Sequence, residues 1–324
     1  AHGGKVFRPA GRIRRCPFAM KFKSTLTLLL LSLLPVHSAF SAETAGPRAK
    51  HVFIISFDQG APAGIEKAEM PLFKEMAAKG AHTWEAYTIV PSLTLPSHTS
   101  MLTGVGIQKH QIDWNDYQPD KGLVKVPTIF GLAKAKDKGI STAMFVSKQK
   151  FEHLNLPGTV DFFDFPAKDQ TCGNVAQEFA SHVDELKPGL CFIHFGDPDV
   201  MGHQFGVDSP EKMKAFADTD KALKVIRDAV DKAGLTADSV FILTADHGGH
   251  DIQDKNGIIR GTHGSSSTED VTIPWVVWGK GVKPGFTIHA AVVQYDTAAT
   301  ALWLLGVPIP EDFWGRPVIS AFEP

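Results

Sequence analysis

The sequence predicts an α/β fold with a largely parallel central sheet flanked by helices on both faces. Three observations predict it. Five short runs are almost continuously apolar: HVFIISF (51–57), TAMFV (142–146), LCFIHF (190–195), SVFILTA (239–245) and IPWVVWG (273–279). A strand with one wet face alternates apolar and polar residues, so unbroken runs read as strands covered on both sides. Helical patterns lie between them, at 68–79, 128–138, 175–186, 210–233 and 297–305, and such alternation implies parallel strands joined by crossovers. Finally, acids and histidines gather directly after the strands, where sheets of this kind bind ligands.

Taken in order, the chain opens with AHGGKVFRPAGRIRRCPFA (1–19). These residues lack an initial Met and read as an extension upstream of the true start. From Met20, MKFKSTLTLLLLSLLPVHSAFSA sets two lysines before an apolar stretch and small residues. That is the layout of a signal peptide over 20–42, too short in its apolar part for a membrane span. Residues 43–324 then form one large catalytic domain with no linker to divide it. Removing residues 1–42 takes away seven of the 33 Lys and Arg, leaving 26 against 35 acids and a formal charge of −9. A phosphate-backbone binder would be basic, so the expected partner is a small molecule and not a nucleic-acid polymer. The expected location is periplasmic or secreted, without a stable membrane anchor after cleavage. Cys172 and Cys191 could pair in an oxidising compartment, while the apolar setting of Cys191 suits a buried thiol equally well.

The chemistry sits at the strand ends. Asp58 follows the first strand, DPDVMGH follows the third, and ADHGGH follows the fourth. Asp199 and His203 are four apart, on one face of a helical turn; Asp246 and His247 are adjacent; His263 lies in GTHGSSS. Asp and His ligands without thiolate suit a catalytic zinc with open positions, though they accept other divalent ions. Two groups of three at one sheet edge suggest two metals. In PSLTLPSHTSMLTG (91–104), Thr94 stands where a helix begins, as either a nucleophile or an ordinary cap.

IISFDQG, PSLTLPSHTSMLTG, HQIDWND, DPDVMGHQFG, TADHGG and GTHG resemble, in order, the motifs of the alkaline phosphatase superfamily. The branch they most resemble is the type I phosphodiesterase/nucleotide pyrophosphatase family. The resemblance implies an alkaline phosphatase-like fold and two zinc ions, one held by Asp58, Asp246 and His247 beside Thr94, the other by Asp199, His203 and His263. It implies phosphoester hydrolysis through a covalent phosphothreonine on Thr94, with Asn115 donating to a phosphoryl oxygen.

Rival readings differ at particular residues. A sulfatase needs Cys or Ser where Thr94 stands. A phosphomonoesterase would use Lys148 and Lys150, in FVSKQKF, as phosphate contacts; otherwise these lysines are a solvated loop. A phosphonate hydrolase would keep the same ligands, and a non-catalytic zinc- or ligand-binding protein would bind without turnover. His98, His194 and His250 are not expected to be ligands, His194 reading as a satisfied core histidine. Trp114 and Phe205 are candidates for a pocket wall or for core packing.

Overall fold

The computed structural model describes residues 48–324. The readings of 1–19 as an extension and of 20–42 as a signal peptide lie outside the described residues. The strands are β1 (His51–Phe57), β2 (Ala81–Tyr87), β3 (Thr142–Val146), β4 (Phe162–Asp164), β5 (Leu190–Phe195), β6 (Ser239–Thr244), β7 (His250–Gln253), β8 (Ile259–Thr262), β9 (Thr272–Gly279) and β10 (Phe286–Thr287). The α-helices are α1 (Pro62–Lys67), α2 (Pro71–Lys79), α3 (Thr94–Thr103), α4 (Ile107–His110), α5 (Ile129–Lys136), α6 (Cys172–Leu186), α7 (Asp197–Phe205), α8 (Pro210–Lys232), α9 (Thr268–Val271) and α10 (Asp296–Leu304). Eight strands form one sheet in the order β10-β2-β9-β6-β1-β5-β3-β4, and β7 with β8 makes a separate hairpin. β1, β3, β4, β5 and β6 run parallel, while β9 is antiparallel to both β6 and β2.

The continuous apolar runs are explained by burial on both faces. Along β1, Val52 and Ile54 enter a layer with Leu95, Leu102, Phe130 and Leu302, from α3, α5 and α10. Phe53, Ile55 and Phe57 enter the opposite layer with Phe73, Phe179, Phe216 and Ile226, from α2, α6 and α8. Successive side chains point to opposite faces, and each fully buried large one contributes about 1.5–3 kcal/mol. Cys172 and Cys191 are free thiols buried in the second layer.

Helix boundaries follow local chemistry. Ser209 caps α8 by accepting from the Lys212 N–H, with Pro210 as first helical residue; Thr171 caps α6 by accepting from Asn174 N–H. The helix expected over 68–79 forms as α2 but starts only at Pro71, whose ring fits a first turn; a separate short helix, α1, ends before it at Lys67. β2, β4, β10 and the β7–β8 hairpin were not foreseen. β2 (AHTWEAY) mixes polar with apolar residues, shifts register between Thr83 and Ala86, and lies near the sheet edge, so it lacks the continuous signal.

Register sets the site. Phe57 pairs with Phe195, and Ser56 with Thr244. Asp58, Gly196 and Asp246 therefore leave three adjacent strands at nearly one level, and the Asp58 N–H still donates to Phe195 O at 2.9 Å.

Candidate active site

Four segments converge above these strand ends. Asp58 follows β1, Asp246 and His247 follow β6, α7 brings Asp199 and His203 on one face, and His263 follows β8. Thr94 is the first residue of α3 and is buried. Its Oγ1 lies 3.4 Å from His247 Nε2.

Each of the three histidines is oriented by the backbone. Nδ1 donates to Gly261 O from His203 (2.9 Å), to Ser92 O from His263 (2.8 Å) and to Gly248 O from His247 (2.8 Å). A carbonyl oxygen can only accept, so Nδ1 holds the proton and every Nε2 offers a lone pair. These lone pairs meet: His203 Nε2 is 3.1 Å from His263 Nε2. The His247 and His263 rings stack, their centroids 3.7 Å apart.

The carboxylates are aimed at the same place. Asp199 Oδ1 lies 3.2 Å from His203 Nε2 and 3.5 Å from His263 Nε2. Asp246 Oδ1 accepts from the Gln59 and His247 N–H groups, at 3.1 and 2.9 Å, which turns Oδ2 to within 3.1 Å of His247 Nε2. Asp58 Oδ1, Asp199 Oδ1 and Asp246 Oδ2 are all buried without a hydrogen-bond partner. An orphaned buried carboxylate oxygen is costly. Three of them facing unprotonated imidazole nitrogens fit a divalent cation better than any arrangement of protons. Asp199, His203 and His263 could hold one ion, and Asp58, Asp199 and His247 bring ligand atoms within 4.8 Å of one another for a second. The second group differs from the expected Asp58, Asp246 and His247. Lys148 bridges Asp58 and Asp199, its Nζ 2.5 Å from Asp58 Oδ2 and 2.6 Å from Asp199 Oδ2.

The electrostatics follow from this packing. Burial pushes Asp58 up, but Lys148 and then His194 and His247 outweigh it and hold the carboxyl well below its usual range. Burial, with Asp58 beside it, pushes Asp246 well up. Burial lowers His247 to about 3, keeping it neutral. His203 is raised, chiefly by the Asp199 carboxylate beside its ring.

The other expected residues divide. Asn115 Oδ1 accepts from Leu95 N–H at 2.9 Å, which fixes the amide against the first turn of α3. Lys148 is engaged by the carboxylates instead of standing free. Lys150 has no ion-pair partner among the described residues, and burial followed by the charge of Lys148 lowers it. Trp114 packs edge-on against His153 and lies under the Lys121 ammonium; Phe205 is exposed at the end of α7. His250 donates to Asp270 Oδ1 at 2.7 Å.

Two residues carry more than the sequence reading gave them. His194 bonds Asp58 Oδ2 through Nε2 at 3.0 Å and Ser147 Oγ through Nδ1 at 2.9 Å. His98 bonds Thr94 O at 2.8 Å and Ser56 Oγ at 2.7 Å, beneath the hydroxyl. The available signal was a histidine inside the apolar run LCFIHF, where a polar group needs a partner.

Comparison with known proteins identifies the family and the fold. The model of the type I phosphodiesterase/nucleotide pyrophosphatase family matches residues 52–276. The chain belongs to this family. Human ectonucleotide pyrophosphatase/phosphodiesterase family member 7 is 24% identical over 248 residues, covering 69% of this chain and 53% of its own length. The chain thus spans about half the length of curated relatives it matches. An inactive variant of murine ectonucleotide pyrophosphatase/phosphodiesterase 5, solved with AMP, superposes with a TM-score of 0.71 at 16% identity, over 85% of this chain and all of that one. The alkaline phosphatase PafA superposes with a TM-score of 0.70 at 14% identity, over 86% of this chain and all of that one. These likenesses show an alkaline phosphatase-like fold.

Proposed function

We propose that the protein is a zinc-dependent phosphoester hydrolase of the phosphodiesterase/nucleotide pyrophosphatase type, with Thr94 as its nucleophile. The observation that carries the reading is the buried Thr94 hydroxyl, 3.4 Å from His247 Nε2, which itself lies 3.5 Å and 3.1 Å from the unpartnered Asp58 Oδ1 and Asp246 Oδ2. Asp58, Asp246, His247, Asp199, His203 and His263 would hold two ions. Zinc bound there would lower the pKa of the Thr94 hydroxyl and take up charge on the departing oxygen.

Thr94 Oγ1 attacks phosphorus as the bond to the leaving oxygen breaks, giving a phosphothreonine that water then hydrolyses. The first turn of α3 has amide N–H groups without intrahelical partners. Leu95 uses its N–H to fix Asn115, and Pro96 has none, so the Thr94 N–H and the Asn115 amide remain as donors for phosphoryl oxygens. A neutral pair of donors suits a diester, whose transferred group carries less charge. A small phosphorylated substrate in a periplasmic or secreted setting is the matching biology.

A second reading, a phosphomonoesterase, has its own observation: Lys150 has no ion-pair partner among the described residues and lies close enough to Asp58 and Asp199 to feel their charge. Rates of the zinc-loaded protein on bis-p-nitrophenyl phosphate and p-nitrophenyl phosphate separate the two. Faster diester cleavage, reduced more than about 10³-fold in Thr94→Ala, is expected. Faster monoester cleavage that falls in Lys150→Ala would replace the first reading with the second, and full activity in Thr94→Ala would sink both.

A further inference from the structure

Gln59, beside Asp58, is fully buried and sits at φ 57°, in the left-handed region that a residue with a side chain rarely occupies. That backbone turn lets its N–H reach Asp246 Oδ1 at 3.1 Å. Its side chain is enclosed on three sides. Oε1 accepts from the Lys212 ammonium, which α8 brings in and which is itself 2% exposed. A Cβ added at Gly202 would lie 2.0 Å from Oε1, and one at Gly249 would lie 2.8 Å from Nε2.

Gly202 separates Asp199 from His203 in DVMGH, and Gly249 follows His247 in DHGGH. The two glycines inside the ligand-bearing motifs are therefore the space into which one amide fits. A helix interior disfavours glycine by about 1 kcal/mol relative to alanine, so Gly202 needs a reason of this kind. Lys212 also needs one, because burial lowers its ammonium to about 8 while Asp199 and Asp58 favour its charge. Among the described residues, Gln59 Oε1 is its one hydrogen-bond acceptor.

We propose that the Gln59 amide, held by Lys212, is a positioning wedge that sets the distance between the ligand segments of α7, β1 and the loop after β6, so that two ions bind together. The inference rests on the two-metal reading above. Neither residue touches the reacting atoms; both act through the ligands.

Zinc stoichiometry and affinity, measured by chelator competition on the full chain with zinc alone, test it. Gln59→Ala should weaken zinc binding about 10–100-fold, the usual worth of a group that orients ligands from behind. Gln59→Glu, which keeps the shape and accepts from Lys212, should lie closer to wild type than to Gln59→Ala. Gly202→Ala should weaken binding in the wild-type background and cost much less in Gln59→Ala, where only the Lys212 ammonium, 3.2 Å from the added Cβ, remains in the way; such coupling is what a double-mutant cycle isolates. Wild-type zinc affinity in Gln59→Ala, or an equal cost of Gly202→Ala in both backgrounds, would overturn the wedge and leave the metal site standing. A wild-type protein that binds no zinc would overturn both.

Discussion

The two halves of the site differ in burial. Asp58, Asp246 and His247 have fully buried side chains, whereas His203 exposes 43% of its side chain above Asp199 and His263 at 5% each. The inner half carries its charge where water cannot screen it, and the outer half opens to solvent. The contrast teaches where this protein bears its cost. Three carboxylates share the centre, and the Lys148 ammonium bonds two of them directly. Without a further cation the buried Asp246 charge is a liability to folding.

The largest expected effect tests that liability. Asp246→Asn can still accept from the Gln59 and His247 N–H groups, but it removes a charge that burial and Asp58 disfavour. A carboxylate whose folded pKa is raised costs stability above its unfolded pKa, and the cost is relieved as pH falls. At pH 7 the metal-free variant should therefore melt about 2 °C or more above wild type. Its zinc affinity should fall by more than about 100-fold, since a group behind the ligands is already worth about 10–100-fold. A lower metal-free Tm would show that the inner charges are satisfied without metal. In the outer half, His203→Ala should lose one zinc while changing metal-free stability by no more than about 0.5 kcal/mol.

Acid should part the two halves. His203 is raised above its ordinary value by Asp199, so in the metal-free protein its proton stabilises the fold at low pH, and that contribution is lost as pH rises through the folded pKa. Protons compete with metal for the same lone pair. Titrating the loaded protein from pH 8 towards 5 should release one zinc equivalent first, from the outer half, because burial keeps His247 neutral down to about 3. Simultaneous release of both would break the comparison.

The smallest effect concerns the loop that carries His263. Asp270 accepts from His250 Nδ1 at 2.7 Å and from the Ser265 N–H at 2.8 Å, pinning that loop. Asp270→Ala should weaken the outer zinc by about tenfold and leave the inner zinc unchanged in the same competition assay. Equal loss at both would mean that the hairpin and loop support the whole site.

Much of this was legible in the sequence, because its signals are local. Continuous apolar runs state that both faces of a strand are covered, and β1, β3, β5, β6 and β9 all lie on such runs. Polar residues that end such a run mark the ligand edge, and the four-residue spacing of Asp199 and His203 places them on one face of α7. The sequence determined the strand ends, the helix caps and the kinds of donor atom on offer. Only the tertiary structure decided how they combine. Strand register brings Asp58, Gly196 and Asp246 level, carbonyls from Ser92, Gly248 and Gly261 fix which histidine nitrogen is free, and Lys148 bridges Asp58 and Asp199. Gln59 and Lys212 stand 153 positions apart and meet inside the protein. Their meeting depends on how α8 packs beneath the sheet edge, and no spacing along the chain encodes a contact between segments that only the shared core brings together.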